Sequence, residues 1–374
     1  MTLERLVASR RVLLCVGGGG VGKTTTAAAL AVCAALRGRR TAVLTVDPSL
    51  RLKDALGLGH LDGGVNRVPL RGEGVHLDAQ LLDVKRTFDE LVRSLTGDPE
   101  HVQRILGNRL YQNLSGALAG SAEYMAIESV FRLVENDAYD LVVVDTPPAR
   151  HAVDFLDAPR RLLAFLDSRA LAILKDPTSI LPGATSRIAH MILASVLSGL
   201  ERFTGIGLVR EVSEFVAAIE GLTGALRARV AEVAALLASE ATELVLVTTP
   251  DPRLTADTRD LVEGLAARGL RIGGVIVNRA LPQVLFGAGA PDPGAPASIP
   301  PALATKLRHA FTELRREATR QQATLAPMLA AAGAPQLVQV PPLETTPVTI
   351  AGLEELAARL FECHAVTAAN ATGR

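Results

Sequence analysis

Residues Gly17 to Thr25 read GGGGVGKTT, and this stretch decides the fold. It fits the phosphate-binding template G-x-x-x-x-G-K-S/T. Glycines lack a Cβ, so successive backbone N–H groups can turn inward around phosphate oxygens, while the template lysine reaches the β and γ phosphates. The threonine hydroxyl of the template binds Mg²⁺. We therefore predict a site for a nucleoside triphosphate with Mg²⁺ on this phosphate loop, formed by Gly17, Gly18, Gly19, Gly20, Val21, Gly22, Lys23, Thr24 and Thr25.

The segments on either side give the phosphate loop the context that the template requires. Residues 11–16 (RVLLCV) form an apolar run typical of a buried strand, and residues 24–36 (TTTAAALAVCAAL) are rich in alanine, the best helix former. A helix that follows the loop presents the free amides of its N-terminus to the same phosphate. A strand, a glycine loop and a helix in this order make a chance match to the template a poor explanation.

Five further short runs are β-branched and predict strands: residues 41–46 (TAVLTV), 140–144 (DLVVV), 243–248 (ELVLVT), 272–277 (IGGVIV) and 336–340 (QLVQV). They alternate with helix-prone segments, which is typical of an α/β fold with a doubly wound, mainly parallel sheet. Ligands bind beyond the carboxyl ends of the strands in such sheets. Asp47, Asp145, Asn278 and Pro341 all follow predicted strands, so we expect them at one edge.

Two acidic residues carry the prediction of hydrolysis. Asp145 ends the apolar run LVVVD, the form of a Walker B acid that holds Mg²⁺ through water; a cap for the following turn is the alternative. Asp47 lies in TVDPSLRLKDALGL, close to the γ phosphate in this topology, where it would orient or polarise the attacking water; a turn role is the alternative. Lys23 and Asp47 are the predicted catalytic residues, and Thr24 and Asp145 the predicted Mg²⁺ ligands.

Five motifs occur along the chain in an order that resembles a known family. They are GGGGVGKTT (17–25), VDPSLRLKDAL (46–56), VVVDTPPARHAVDFLDAP (142–159), GVIVNRAL (274–281) and VPPLETTP (340–347). In this order they resemble the ArsA-type ATPases, which include arsenite-pump ATPases and the cytosolic factors that target tail-anchored membrane proteins. The resemblance covers most of the chain and is far more specific than the phosphate loop alone.

The resemblance implies more than ATP binding. It implies a P-loop NTPase of the SIMIBI type with an inserted α-helical subdomain, and a nucleotide-sandwich dimer whose two subunits close on ATP. The two switch segments of this dimer would begin at Asp47 and Asp145. Adenine would contact Asn278, for which a strand-terminating turn is the alternative, and the turn formed by Val340, Pro341 and Pro342.

Gly18 is the main departure from the family pattern. The family loop usually reads GKGGVGKTT, and its first lysine reaches the nucleotide of the partner subunit; here Gly18 stands at that position. Loss of a cation that neutralises the transition state lowers the rate by several powers of ten. Three responses are open: Arg51 or Arg150 substitutes, a lysine-bearing paralogue completes the site in a heterodimer, or the chain hydrolyses ATP slowly. We favour the heterodimer over the homodimer, because the other site residues are intact.

The cysteines argue against two ligands of the family. Arsenite binding needs several converging thiolates, whereas Cys15, Cys33 and Cys363 are scattered along the sequence. The CxxC zinc motif that the targeting factors carry after the adenine-binding asparagine is absent from this sequence. The corresponding interval, residues 281–301, is rich in Pro, Gly and Ala and is predicted to be a flexible surface loop. We therefore expect neither an arsenite-pump subunit nor a zinc staple.

Residues 82–134 and 159–239 are predicted to be helical and to form the inserted subdomain of a single P-loop ATPase domain over residues 1–374. In the family this region forms a hydrophobic groove for a client segment. The alternative is that its apolar stripes pack on each other or on the sheet. Two stripes recur at helical spacing: Ile188, Met191, Ile192, Val196, Leu197 and Leu200, then Phe215, Ile219, Leu222 and Leu226.

The composition limits the partners. A hydrophobic content of 48% in 374 residues is ample for a core, and the formal net charge of zero favours neither nucleic acid nor an acidic membrane, although a local basic patch stays open. The N-terminus lacks an apolar signal core, and the longest uncharged run found in the middle, residues 188–200, is too short to span a bilayer. With only three cysteines, these features predict a cytoplasmic protein.

Two classes of function follow. The first is an ATP-driven conformational switch that handles a protein or membrane-associated client. The second is a positioning or scaffold ATPase of the partition and division-site type, which would need a basic DNA-binding face or an amphipathic basic tail. Residues 364–374 (HAVTAANATGR) are neither apolar nor basic enough for such a tail. The long helical insertion and this tail favour the first class.

Overall fold

The computed structural model describes residues 2–49, 51–72, 74–108, 112, 121–167, 221–281, 299–333, 337–343 and 349–362. The chain divides into two compact units. We call residues 1–81, 133–153 and 240–374 the sheet unit, and residues 82–132 and 154–239 the helical unit. All the predicted site residues belong to the sheet unit.

The sheet unit contains one eight-stranded sheet. Its strands are β1 (Val12–Gly17), β2 (Thr41–Thr45), β3 (Asn66–Arg67), β4 (Leu77–Leu81), β5 (Leu141–Asp145), β6 (Thr242–Thr248), β7 (Ile272–Asn278) and β8 (Leu337–Val340). Their spatial order is β3-β4-β2-β5-β1-β6-β7-β8, and all neighbouring pairs are parallel except β3 and β4. The prediction of a doubly wound, mainly parallel sheet with flanking helices is confirmed.

Eleven helices are described, and those of the helical unit come from both sides of β5. They are α1 (Leu3–Ser9), α2 (Lys23–Leu36), α3 (Arg51–Ala55), α4 (Val84–Leu95), α5 (Pro99–Leu106), α6 (Ser121–Glu135), α7 (Ala149–Leu166), α8 (Thr223–Ala238), α9 (Pro252–Ala266), α10 (Pro301–Ala332) and α11 (Ile350–Glu362). Among these described helices, none is both long enough and apolar enough to cross a bilayer.

The core of the sheet unit forms around α2, which follows the phosphate loop. Every residue of α2 from Thr26 to Ala35 is buried, and most of them are alanines. Small side chains let the helix lie close to the apolar strands, and Leu353, Leu356 and Leu360 of α11 belong to the same cluster. Burial of this apolar surface anchors the helix whose N-terminus forms the candidate site.

The sequence predicted six of the eight strands to within one or two residues, but it missed β3 and β4. Strand β4 carries Asp78 and Gln80, which interrupt its apolar run. Both polar side chains find partners in the fold: Asp78 accepts hydrogen bonds from Arg67 and Tyr139, and Gln80 donates to the carbonyl of Gly63. Burial beside Asp78 also raises the pKa of Tyr139 to about 12.

The helical predictions fall partly outside the described residues. The first apolar stripe, residues 188–200, and Phe215 and Ile219 of the second stripe lie outside them, as do residues 282–298 of the predicted loop, Cys363 and the tail. Leu222 is described and packs with Val92 and Ile105 in a small buried cluster of the helical unit. For Leu222 the packing alternative holds; the single helical subdomain and its groove stay predictions.

Candidate nucleotide site

The phosphate loop needs glycine at two positions because other groups approach its backbone closely. A Cβ on Gly17 would lie 2.1 Å from the carbonyl oxygen of Val247, in the neighbouring strand β6. Gly22 has a φ of +97°, and a Cβ there would lie 2.4 Å from Nδ2 of Asn278. A side chain at either position would therefore push the loop away from β6 or β7. By contrast, none of the described atoms lies within 4 Å of a Cβ placed on Gly19 or Gly20, so the top of the loop is open.

Lys23 begins α2 and lies inside the phosphate loop. Its Nζ donates a hydrogen bond of 2.8 Å to the carbonyl oxygen of Gly18, and the residue is buried. Burial lowers the pKa of Lys23, while the negative charge of Asp145 opposes this shift. No side chain among the described residues caps the N-terminus of α2. The lysine and the helix amides together leave a positive site that an anion can occupy.

Asp145 ends β5 beside the phosphate loop, and only one of its two carboxylate oxygens is bonded. Oδ2 accepts hydrogen bonds from Oγ1 of Thr24 (2.7 Å) and Oγ1 of Thr45 (3.0 Å). Oδ1 is buried and has no hydrogen-bond partner in the described part of the chain. Burial raises the pKa of Asp145, and the two hydroxyls and Lys23 oppose this shift. A buried carboxylate oxygen without a donor is costly unless a cation or water completes it.

Asp47 is linked to Asp145 through Thr45. The Asp47 N–H donates to Oγ1 of Thr45 at 3.2 Å, and this hydroxyl in turn donates to Asp145. The Asp47 carboxylate accepts the N–H of Ser49 at 2.9 Å, and its Oδ2 lies 4.0 Å from a guanidinium nitrogen of Arg51. Thr45 is a site residue that the sequence did not predict. It joins the site only through the register of β2 and β5, which makes it the strand neighbour of Asp145.

The residues predicted to contact adenine gather at the ends of β7 and β8, where Asn278 is the strand neighbour of Val340. Nδ2 of Asn278 donates a hydrogen bond of 3.0 Å to the carbonyl oxygen of Val21, so the asparagine braces the phosphate loop. Val340 is buried, and its carbonyl accepts the N–H of Ala280. Pro341 and Pro342 are more accessible than Val340. A role for any of the four in adenine binding stays a prediction.

The position of the missing lysine has room for a side chain. A Cβ on Gly18 would meet Val21, Thr258 and the carbonyl of Leu254 at 3.4–3.7 Å, which is ordinary van der Waals contact. Of the two candidate substitutes, Arg51 has a side chain that is 67% exposed. The side chain of Arg150 lies outside what the structure describes.

The donor set fits a nucleoside triphosphate with Mg²⁺. The open glycine backbone and Lys23 suit phosphate oxygens, and the Thr24 hydroxyl with the unpartnered Oδ1 of Asp145 suits a hard cation that keeps several waters. In the described ranges, no three side chains of the His, Cys, Asp or Glu type are grouped as a dedicated metal site. That observation is compatible with Mg²⁺, which is usually bound by one or two protein ligands and by substrate phosphates.

Comparisons with known proteins agree with this geometry. Over residues 10–285 the chain matches the family model described as anion-transporting ATPase. It is 32% identical to an uncharacterised protein of Streptomyces coelicolor, over 73% of this chain and 63% of the relative. It is 28% identical to ATPase GET3C of Arabidopsis thaliana, over 74% of this chain and 68% of that protein. It is also 31% identical to a Halobacterium salinarum protein provisionally named an arsenical pump-driving ATPase, over 44% of this chain and 26% of that protein.

The extent of these matches differs between the relatives. The chain spans less than two thirds of the length of the Streptomyces protein and about a quarter of the Halobacterium protein. The family model nevertheless covers well over half of the chain, including the phosphate loop, Asp47, Asp145 and Asn278. The chain therefore belongs to the ArsA family of anion-transporting ATPases.

Proposed function

We propose that this chain binds ATP with Mg²⁺ at the phosphate loop and hydrolyses the ATP as a dimeric conformational switch. One observation carries the proposal. Oδ2 of Asp145 accepts hydrogen bonds from two hydroxyls, while its buried Oδ1 has no partner among the described residues, and Lys23 lies beside it at the start of α2. This arrangement is unfavourable by itself, because a buried charged oxygen lacks a donor. A hydrated cation held between Asp145 and the phosphates would remove that cost.

Each site residue has a distinct role in the proposed reaction. The Lys23 ammonium, now held by the Gly18 carbonyl, would bind phosphate oxygens of ATP, and Thr24 and Asp145 would hold Mg²⁺, Asp145 through water. When bound, Mg²⁺ neutralises the charge that develops on the phosphate oxygens. Asp47 keeps one oxygen on the Ser49 N–H and uses the other to orient the attacking water. Asn278, Val340, Pro341 and Pro342 would border the adenine.

The hydrogen bonds that join the two acids support the proposed switch. The Thr45 hydroxyl accepts the N–H of Asp47 and donates to Asp145. A movement of the Asp145 carboxylate would therefore shift the backbone of the switch segment that begins at Asp47. The segment that follows Asp145 is held to β1, because the Thr146 hydroxyl donates to the carbonyl of Cys15 at 2.7 Å. Loss of the γ phosphate would therefore move both segments together, which is the repertoire of nucleotide switches.

Replacement of Lys23 tests the proposed nucleotide site. We expect Lys23→Ala to abolish ATP binding in a fluorescent-nucleotide titration, because the variant loses the cation that contacts the β and γ phosphates. Lys85→Ala is the matched control: Lys85 lies on α4 of the helical unit, where it pairs with Asp89. ATP binding by Lys23→Ala that equals binding by the control would refute the site.

The dimer proposal rests on Gly18. We propose that a lysine-bearing paralogue completes the site in a heterodimer and that the isolated chain hydrolyses ATP slowly. Because a Cβ at Gly18 makes only ordinary van der Waals contacts, Gly18→Lys should restore a trans cation and raise turnover by about a hundredfold in a self-assembled dimer. Gly19→Lys adds the same charge at the next position, where a Cβ would meet none of the described atoms within 4 Å, and serves as the control. Brisk hydrolysis by a homodimer of the unchanged chain would contradict the heterodimer.

Arsenite is not the proposed ligand, although one relative is named for it. Among the described cysteines, Cys15 and Cys33 are both free and buried, one in β1 and the other in α2. Burial raises the pKa of both thiols, which disfavours the thiolate form that binds soft metals and arsenic.

The proposed client is a protein or a membrane-associated segment, and the proposed compartment is the cytoplasm. We expect an Asp47→Asn variant, loaded with ATP, to hold partners that the unchanged chain releases after hydrolysis. Co-purification from native cells, with mass spectrometry of the bound proteins, identifies them. Recovery of DNA or division-site proteins in place of a client would favour the positioning ATPase.

A further inference from the structure

An apolar stripe lies exposed along the first half of α10. Leu303, Leu307 and Leu314 are 48%, 45% and 46% exposed, and their spacing of four and seven residues places them on one helical face. They are three of the five large hydrophobic side chains that the described residues expose. The other two, Leu36 and Val65, lie on separate segments of the sheet unit. Such clustering on one face indicates an interaction surface.

The second half of α10 uses the same face for packing. Ala318, Leu325 and Met328 continue the stripe at helical spacing and are all buried. The helix is therefore anchored mainly along its C-terminal half. In the first half Ala304 is buried as well, while the three leucines of the stripe remain exposed. We call residues 301–316 the overhang of α10.

The direction of α10 shows where the overhang lies. The N–H of Leu281, just after β7, donates to Oε1 of Gln321 at 3.0 Å. At the other end, Gly333 lines a cavity with Ile272 and Gly273, at the start of β7. The helix thus runs antiparallel to β7. Leu314 and Leu303 precede Gln321 by about 10 and 27 Å along the axis at 1.5 Å per residue. The overhang extends past the carboxyl edge of the sheet, the edge that holds the phosphate loop.

The overhang is positively charged, although the chain as a whole is neutral. Lys306, Arg308 and Arg315 flank the leucine stripe, and none of them forms an ion pair with a residue that the structure describes. Toward the anchored half the charges are compensated, since Arg316 pairs with Glu313 and Arg320 with Glu317. The uncompensated cations and the exposed leucines thus occupy the same stretch of helix.

We propose that the overhang of α10 docks on an anionic lipid surface. Helical geometry puts Lys306 on one flank of the leucine stripe and Arg308 and Arg315 on the other. A helix of this kind lies in the plane of the interface, with its apolar face between the acyl chains and its cations at the headgroups. The three cations select anionic headgroups over neutral ones. The proposal rests on the surface of α10 alone and holds whether or not the chain hydrolyses ATP.

Vesicle flotation of the full chain tests the proposal. Vesicles of phosphatidylcholine mixed with phosphatidylglycerol should carry the chain upward, vesicles of phosphatidylcholine alone should not, and added salt should weaken the binding. Replacing the three leucines together, as Leu303→Ser, Leu307→Ser and Leu314→Ser, should lower the partition coefficient by about tenfold for each leucine. The matched control carries Leu36→Ser and Val65→Ser, which remove apolar side chains that are 41% and 64% exposed on other segments, and should bind as the unchanged chain does.

A second variant tests the role of the three cations, and thermal unfolding checks that the fold is unchanged. Lys306→Glu, Arg308→Glu and Arg315→Glu together should abolish the preference for anionic vesicles, and thermal unfolding of both triple variants should match that of the unchanged chain because the replaced side chains are exposed. The proposal is overturned if the unchanged chain does not bind anionic vesicles or if both triple variants bind them normally. It is also overturned if the leucine replacements change only the oligomeric mass, which would assign the stripe to a protein partner.

Discussion

Glu128 in the helical unit and Asp145 in the sheet unit are both carboxylates with almost no exposed surface, 0% and 1%. Both oxygens of Glu128 are bonded: Oε1 accepts Nε and Nη2 of Arg229 at 2.9 and 2.8 Å, and Oε2 accepts the hydroxyl of Tyr124 at 3.3 Å. Arg229 also stacks over Phe131. Asp145 has two donors, but both act on Oδ2 and leave Oδ1 open.

This difference distinguishes a buried carboxylate that stabilises the fold from one that is available to bind a ligand. Glu128 is compensated by a cation of its own unit, so its burial requires nothing from outside. Burial beside Glu128 also raises the pKa of Tyr124, which keeps the phenol protonated as a donor. Asp145 faces Lys23, whose ammonium is held by the Gly18 carbonyl, and it remains short of one partner. An incompletely satisfied buried charge beside the phosphate loop is therefore the better indicator of function.

The largest effect is expected from breaking the satisfied pair. Glu128→Met leaves the Arg229 guanidinium buried without its carboxylate, and we expect the free energy of unfolding to fall by about 3–5 kcal/mol in urea denaturation. The double variant Glu128→Met with Arg229→Met should recover most of this loss, because apolar side chains of similar volume replace both charges. A loss below about 1 kcal/mol in the single variant would mean that the pair is not a structural element.

A smaller effect is expected from Thr45, which joins the two acids of the site. Thr45→Val keeps the shape of the side chain but removes one donor to Asp145 and the acceptor of the Asp47 N–H. We expect a loss of about 1–2 kcal/mol in the free energy of unfolding, with weaker binding of ATP in the presence of Mg²⁺. Thr41→Val on the same strand removes a single bond to the Arg39 carbonyl and should leave nucleotide binding unchanged. Equal nucleotide binding by both variants would contradict the link.

The smallest and opposite effect is expected from Asp145 itself. Because burial raises its pKa, the folded state binds a proton more tightly than the unfolded state, so this group lowers stability as the pH rises above its ordinary value of 3.8. Without nucleotide or metal at neutral pH, Asp145→Asn should therefore raise the free energy of unfolding by about 1 kcal/mol. The gain should shrink as the pH falls toward 3.8. A variant less stable than the unchanged chain at neutral pH would show that Asp145 is a satisfied structural charge.

The sequence predicted the central strands and α2 because their apolar and alanine runs are local patterns. It missed β4, whose Asp78 and Gln80 acquire partners only when β3 and the segment before β5 come beside it. It made no prediction for α10, whose first half lacks a packed face. The neutral total charge of the chain also concealed the basic overhang, since charges far apart in sequence cancel in a sum.

The phosphate loop was predictable because its template lies within nine consecutive residues, Gly17 to Thr25. Thr45 was not, because it becomes part of the site only through the register of β2 and β5, which makes it the strand neighbour of Asp145. The hydrogen bond from Asn278 to Val21 joins residues that are 257 positions apart. Both contacts arise from the tertiary structure, and no local pattern announces them.

The Mg²⁺ dependence of ATP affinity tests the central claim most directly. For the unchanged chain, we expect titration with a fluorescent ATP analogue to show tighter binding in Mg²⁺ than in EDTA, by about tenfold or more. In Asp145→Asn this difference should disappear, while the affinity in EDTA stays equal or improves, because a negative charge has left the phosphate site. An equal gain in ATP affinity with Mg²⁺ in both proteins would contradict the proposal that the unpartnered oxygen of Asp145 serves the metal.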